Sequence, residues 1–270
     1  MSSLGKVFLV GAGPGAADLI TVRGAALLAA ADIVLHDALI EPEMLALCTK
    51  AKLIPVGKRC GKLSTAQRFI NKMLVDAAQK YATVVRLKGG DPMLFGRADE
   101  ELSALDEAGI AYEIVPGITS ALAGAASLGR SLTLRGVSRS IAFITHAKAV
   151  SEANQPKKLF ENPSADTLIY YMGRCHASAI AKQLLEQGRA ASTPVHILEA
   201  ISTKRERKWS MSLFDLASLN IDHEPDESTW QQSDEPLLIL IGEALAERAS
   251  AKLNNGLQDS FTLTNSRRRA

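Results

Sequence analysis

Apolar positions along this chain fall into two alternating textures. Short runs rich in Val, Ile and Leu carry few polar interruptions: KVFLVGA at 6–12, DIVLHD at 32–37, AKLIPVGK at 51–58 and TVVRLKGGDP at 83–92. Between them lie segments whose apolar residues recur at helical spacing: TVRGAALLAAA, TAQRFINKMLVDAAQKY and ADEELSALDEAGI. Nearly unbroken apolar strands are buried on both faces, so the alternation predicts a mostly parallel sheet covered by helices on each side. Thr21 stands where an N-cap belongs, and Gly109 lies near a helix end.

After Thr119 the texture changes. SALAGAASLG is a helix of small residues. SIAFITHA, ADTLIYYMG and TPVHILEAIST read as strands, HASAIAKQLLEQG as a helix, and the basic stretch KRERKWSM as part of a hairpin before EPLLILIGEA. The chain therefore divides into an N-terminal α/β domain over 1–116 and a second α/β domain over 117–245. The tail from 246 to 270 has no apolar period and is expected to be disordered.

Composition changes this picture little, but it removes several function classes. Lys and Arg total 31 against 29 Asp and Glu, a formal net charge of +2, so bulk charge points to neither nucleic acid nor a membrane surface. Aromatic residues are 5%, too sparse for base-stacking surfaces. Cys48, Cys60 and Cys175 are far apart and the histidines lack ligand spacing, so no metal site is expected. No stretch approaches the roughly 18 apolar residues of a membrane span. A cytoplasmic protein fits these features.

Candidate chemistry gathers at strand ends. Gly11-Ala12-Gly13-Pro14-Gly15-Ala16 follows the first strand, and Asp37 ends the second. That arrangement loosely matches a dinucleotide fingerprint, which makes an NAD-dependent oxidoreductase one reading. Pro14 removes one N–H from such a loop, and the first helix begins only near Thr21; a tight turn without ligand is the plainer alternative. Gly89-Gly90-Asp91-Pro92 sits at the C-terminal edge of a strand, where open α/β sheets bind ligands and where glycine allows close backbone approach. Arg97 follows, with Glu100 and Glu101 in the first helical turn, an ordinary place for acids. Pro116-Gly117-Ile118-Thr119-Ser120 reads as a hinge between the two halves. Basic stretches at Lys58-Arg59, Arg130 to Arg139 and Lys204 to Lys208 would suit a polyanionic small molecule if they lined one cleft.

Seven stretches, VFLVGAGPGAADLITVRG, ADIVLHDALI, VGKRCGK, VVRLKGGDPMLFGR, VPGITSALA, LIYYMG and TPVHILEAIST, stand in the order and spacing of the tetrapyrrole methylases, which this chain resembles over about residues 5–245. The VGKR, LKGGDPxxFGR and YMG forms favour the branch that C-methylates uroporphyrinogen III. The resemblance implies the tetrapyrrole methylase fold, two α/β domains with the active site in the cleft between them, in a homodimer. It implies S-adenosylmethionine (SAM) as methyl donor, and methylation at C2 and C7 to give precorrin-2 for sirohaem, cobalamin or haem d1. It places Pro14, Gly89, Gly90, Asp91, Leu94, Thr119, Ser120, Met172, Ala200 and Ile201 at the SAM site. Asp37 becomes a candidate base with Lys58 as its acid partner, and Glu100 a second base beside Arg97. Arg97, Arg135 and Lys58 would bind substrate carboxylates.

The chain departs from the family pattern in places. Ala98-Asp99 replaces a Gly-Gly after FGR, Thr145-His146-Ala147 displaces a histidine by one position, and Leu132–Gly136 lacks one. Glu199-Ala200-Ile201-Ser202 stands where the family often reads Glu-Asn-Gly-Thr. These changes bear on substrate handling more than on SAM. An altered tetrapyrrole preference, or a relative that binds without turnover, is the competing expectation.

Overall fold

A computed structural model describes residues 4–56, 63–145, 162–219, 230–231 and 233–247. Five strands form the first sheet: β1 (Lys6–Gly11), β2 (Ile33–His36), β3 (Lys52–Pro55), β4 (Thr83–Lys88) and β5 (Tyr112–Val115). Their order is β3-β2-β4-β1-β5 and every pairing is parallel, as the unbroken apolar runs require. Pro55 lies on the edge strand β3, where a missing N–H costs no ladder bond.

Successive strand residues point to opposite faces, so each strand feeds two cores. Val10, Val34, Val85 and Leu87 meet Leu28 of α1 (Val22–Ala30) and Met44 of α2 (Pro42–Leu45). Leu9, Leu35 and Val84 meet Leu74 of α3 (Leu63–Ala78) and Leu105 of α4 (Ala98–Glu107) on the other face. Each such buried side chain contributes about 1.5–3 kcal/mol. Thr21 does cap α1, its hydroxyl accepting the Gly24 N–H at 3.1 Å.

The second sheet has the order β6-β7-β10-β8-β9, from β6 (Ile141–Thr145), β7 (Thr167–Tyr171), β8 (Pro194–Glu199), β9 (Arg207–Ser212) and β10 (Leu237–Ile241). Only β6 and β7 pair in parallel; β7-β10, β10-β8 and the β8-β9 hairpin are antiparallel. Helices α6 (Ala177–Glu186) and α7 (Leu213–Ser218) cover one face, and α5 (Ser120–Leu128) the other. The small residues of α5 let it lie close: a Cβ on Gly124 would stand 3.4 Å from Ile201 Cδ1.

Connections from β1 and β2 run along the α1/α2 face, and those from β3 and β4 along the α3/α4 face. Neighbouring strands β1 and β4 therefore send their following loops to opposite faces. The crevice at the C-terminal ends of strands that diverge in this way is the usual ligand position of such a sheet.

Candidate functional site

The loops after β1, β4 and β5 meet through backbone. Gly90 N donates to Gly13 O at 2.7 Å and Gly13 N to Gly90 O at 3.2 Å. Gly117 packs beneath: a Cβ there would lie 2.2 Å from Gly90 O and 2.8 Å from Gly11 Cα. Asp91 ties the same loops, its Oδ2 accepting Gly117 N–H at 2.9 Å and its Oδ1 accepting Met93 N–H at 2.8 Å. These contacts disfavour the dinucleotide reading. The Ala12, Gly13 and Ala16 N–H groups are engaged by Lys88 O, Gly90 O and Ser202 Oγ, and Pro14 has none to offer a pyrophosphate.

Gly89 and Gly90 differ from the glycines packed beneath them. A Cβ on Gly89 would meet nothing within 4 Å, and one on Gly90 would meet only the Thr119 Cα, at 3.9 Å. Their bare backbone faces open space that a side chain would fill. Strain collects at the same edge. Among the described residues the non-glycines with positive φ are Phe95, Arg97, Met172, Ala200 and Ser202, all in loops after β4, β7 and β8. Each such conformation costs of order 1–3 kcal/mol and persists only where its surroundings enforce it.

The second sheet closes on this edge. Gly15 abuts Thr203 and Ile201, and Ala16 N donates to Ser202 Oγ at 3.0 Å. The hydroxyls of Tyr171 and Thr119 are 2.6 Å apart, and Tyr171 Oη accepts the Ala121 N–H at the start of α5. Phe95 meets the Tyr171 ring edge-on at 5.1 Å. Met172 follows Tyr171 and is 53% exposed, unlike a core methionine. Pro14, Leu94, Thr119 and Ser120 are half-buried, while Ala200 and Ile201 are buried.

A charged cluster lies under Gly89. Asp37 Oδ1 accepts from Arg86 Nη2 at 2.5 Å, and Asp37 Oδ2 accepts from Gly89 N at 3.2 Å. Arg86 Nε donates to Glu101 Oε1 at 3.0 Å, and Lys88 Nζ to Glu101 Oε2 at 3.0 Å. Glu101 is wholly buried, and Arg86 and Lys88 nearly so. Burial works against the Arg86 cation, but the Asp37 and Glu101 carboxylates more than offset it, and its pKa is raised. Burial and the neighbouring Arg86 push the Lys88 ammonium down, partly countered by Glu101.

Glu101, read from sequence as an ordinary first-turn acid, is thus the buried partner of two cations. Glu100 faces outward and is held by Arg97, whose Nε and Nη2 each reach it at 2.7 Å. Arg135 is exposed in the turn closed by the Leu134–Ser138 bridge. The basic stretch Lys204 to Lys208 is largely neutralised: Lys204 pairs with Glu43, Arg205 with Glu41 and Glu235, Arg207 with Glu199, and Lys208 with Glu206. Lys58, Arg59, His146 and the tail from 248 lie outside the described residues. Among the described residues no group of three His, Cys, Asp or Glu side chains could hold a metal ion, and no helix is long and apolar enough to cross a membrane.

Arg86, Lys88 and Tyr171 were not singled out by sequence, and Glu101 was given no role at the site. One signal was available: two cations two positions apart in a strand buried on both faces must have buried partners. Asp37 and the acids after Arg97 were the candidates at hand.

The family model for Tetrapyrrole (Corrin/Porphyrin) Methylases matches residues 6–217. The siroheme synthase of Pseudomonas fluorescens (strain SBW25) is 40% identical over 255 residues, 94% of this chain and 53% of that protein. The chain thus spans about half the length of the curated relatives it matches. The solved native uroporphyrin III C-methyl transferase of Thermus thermophilus has 34% identity and a TM-score of 0.72, covering 89% of this chain and 93% of that one. The same enzyme complexed with S-adenyl homocysteine gives 35% identity and a TM-score of 0.71, covering 89% and 99%. With most of its length matched by the family model and the fold shared with solved members, this chain belongs to the tetrapyrrole methylase family.

Proposed function

We propose that this protein is a SAM-dependent C-methyltransferase that converts uroporphyrinogen III to precorrin-2. The observation that carries the reading is the open backbone at Gly89 and Gly90, at the crevice where the sheet connections diverge. Its support from relatives is the Thermus thermophilus enzyme solved with S-adenyl homocysteine.

The residues present fit such a cofactor. Gly89, Gly90 and Asp91 would hold it at the open loop after β4, with Pro14, Leu94, Thr119 and Ser120 at the start of α5, and Met172, Ala200 and Ile201 as further contacts. When bound, SAM supplies a sulfonium methyl for an electron-rich pyrrole carbon. The chain contributes position and electrostatics. Asp37 is fixed by Arg86 and Gly89 N yet remains about a third exposed, so its carboxylate is available to accept the proton leaving the macrocycle. Lys58 is its proposed acid partner, on motif position alone. Arg97 and Arg135 bind substrate carboxylates, with Arg97 exchanging Glu100 for the incoming group. Glu100 faces outward and is held by Arg97, so this reading gives the role of base to Asp37.

The two sheets are taken as two domains, 1–116 and 117–245, with the site in the cleft between them. A cytoplasmic homodimer completes the reading and rests on family resemblance. Ala98, which stands where the family has a glycine, is buried against the α3/α4 cluster and is accommodated there.

The test is an anaerobic assay with methyl-labelled SAM and enzymatically generated uroporphyrinogen III, read by mass spectrometry. Two added methyl groups are expected. One would limit the activity to a single transfer. None, with S-adenosylhomocysteine binding retained in calorimetry, would overturn the substrate assignment.

A further inference from the structure

We propose that Arg86 is a positioning residue for Asp37, and that Glu101 with Lys88 locks Arg86 in that role. The inference rests on the proposed function, in which Asp37 is the base.

The geometry leaves Arg86 little freedom. Nε is held by Glu101 and Nη2 by Asp37, while Nη1 donates to Leu87 O at 3.1 Å and Leu35 O at 3.4 Å. One planar guanidinium thus fastens the C-terminal ends of β2 and β4 to α4. The fork fixes Asp37 Oδ1 in direction as well as distance, which a lysine could not reproduce. Asp37 Oδ2 rests on Gly89 N, so the carboxylate is located by one side chain and by the bare loop itself.

Glu101 is the second holder. Without it, Arg86 would have one carboxylate and two carbonyls, and the buried Lys88 would lose its hydrogen-bonded anion. Gln67 Nε2, 3.3 Å from Glu101 Oε1, and the buried start of α4 fix that carboxylate in turn. Asp37 and Glu101 against Arg86 and Lys88 balance in charge, so the cluster withstands burial while leaving only Asp37 partly open to the crevice. A cluster needed for stability alone has no use for an exposed carboxylate at the ligand edge.

The experiment is a double-mutant cycle on methyl transfer with wild type, Arg86→Lys, Asp37→Asn and the double variant. Folding is checked by circular dichroism and S-adenosylhomocysteine binding by calorimetry. If Arg86 acts through Asp37, R86K lowers kcat by about tenfold or more, within the range of a displaced general base. S-adenosylhomocysteine affinity should stay within about threefold, and the double variant should be no slower than D37N by more than about threefold, since coupled residues are non-additive. Equal fold-losses from R86K in both backgrounds, or no loss at all, would overturn the inference.

Should R86K fail to fold, the near-isosteric Glu101→Gln enters the same cycle. Failure of both to fold makes the cluster structural and overturns the inference as well. A wild-type protein that transfers no methyl group removes the functional reading first. An active wild type with additive losses removes this inference alone.

Discussion

Gly117 sits directly beneath the Gly13–Gly90 bridge, so close that a Cβ on it would lie 2.2 Å from Gly90 O. The obstructing atoms are backbone and cannot rotate away. Gly117→Ala is therefore expected to destabilise the fold by about 1–3 kcal/mol through overpacking. It should also loosen the Asp91 contact with Gly117 N. Urea unfolding reads this directly, and an unchanged midpoint would contradict the packing.

Gly89→Ala should behave in the opposite way. Its Cβ would meet nothing within 4 Å, so the unfolding midpoint should match that of the parent. The methyl group enters the space assigned to SAM, and S-adenosylhomocysteine affinity should fall by about tenfold, the equivalent of 1.4 kcal/mol. Calorimetry beside unfolding tests both halves, and unchanged affinity would move the cofactor elsewhere.

The Tyr171 hydroxyl joins β7 to Thr119 and to Ala121 N at the start of α5. Tyr171→Phe keeps the ring contacts with Phe95 and Phe143 but removes those bonds. A loss of about 1–3 kcal/mol is expected, from about 0.5–1.5 kcal/mol for each of the two hydrogen bonds. Thr119→Ala should cost no more once Tyr171 is Phe, a non-additivity that chemical unfolding of the double variant would reveal.

His196 sets an acid limit. Its Nδ1 lies 2.7 Å from Ser210 Oγ and its Nε2 3.1 Å from Leu245 O, which suits a neutral ring donating from Nε2. Burial pushes the imidazole below its ordinary value of 6.5. The unfolded chain therefore binds the proton more readily. Stability from this group is complete above about pH 6.5 and declines as pH falls toward the folded value. Unfolding free energy should drop as pH falls below about 6.5, with a flatter profile in His196→Gln.

Glu199 acts lower on the scale. Burial alone would raise its pKa, but hydrogen bonds from Ser233, Arg174 and Arg207 more than offset this and hold it below 4.5. Its contribution is full above about pH 4.5 and is lost as pH falls through the depressed value. Glu199→Gln should be less stable at neutral pH and show a shallower acid limb. A parallel acid limb would mean that Glu199 is not the group being titrated.

The α/β alternation was legible because period and burial are local properties. Runs such as Val84 and Val85 must be covered on both faces, whatever covers them. Glycines at strand ends were legible for the same reason, since turn chemistry is written in adjacent residues. Seven collinear motifs carried the family.

The choice between Glu100 and Glu101 was not legible. Successive helix positions differ by about 100°, so which acid faces β4 depends on how α4 enters. Arg97, in a left-handed conformation at the helix start, sets that entry, and it turns Glu101 inward and Glu100 to solvent.

The sequence by itself determined the two kinds of layer, the loops able to approach a ligand, and the family. Tertiary structure alone decided which charges work together. Asp37, Arg86 and Glu101 come from β2's end, β4 and α4, and they meet because the strand order β2-β4-β1 places non-successive strands side by side. Burial then forces each charge to find its opposite, and only the folded neighbours determine which one that is.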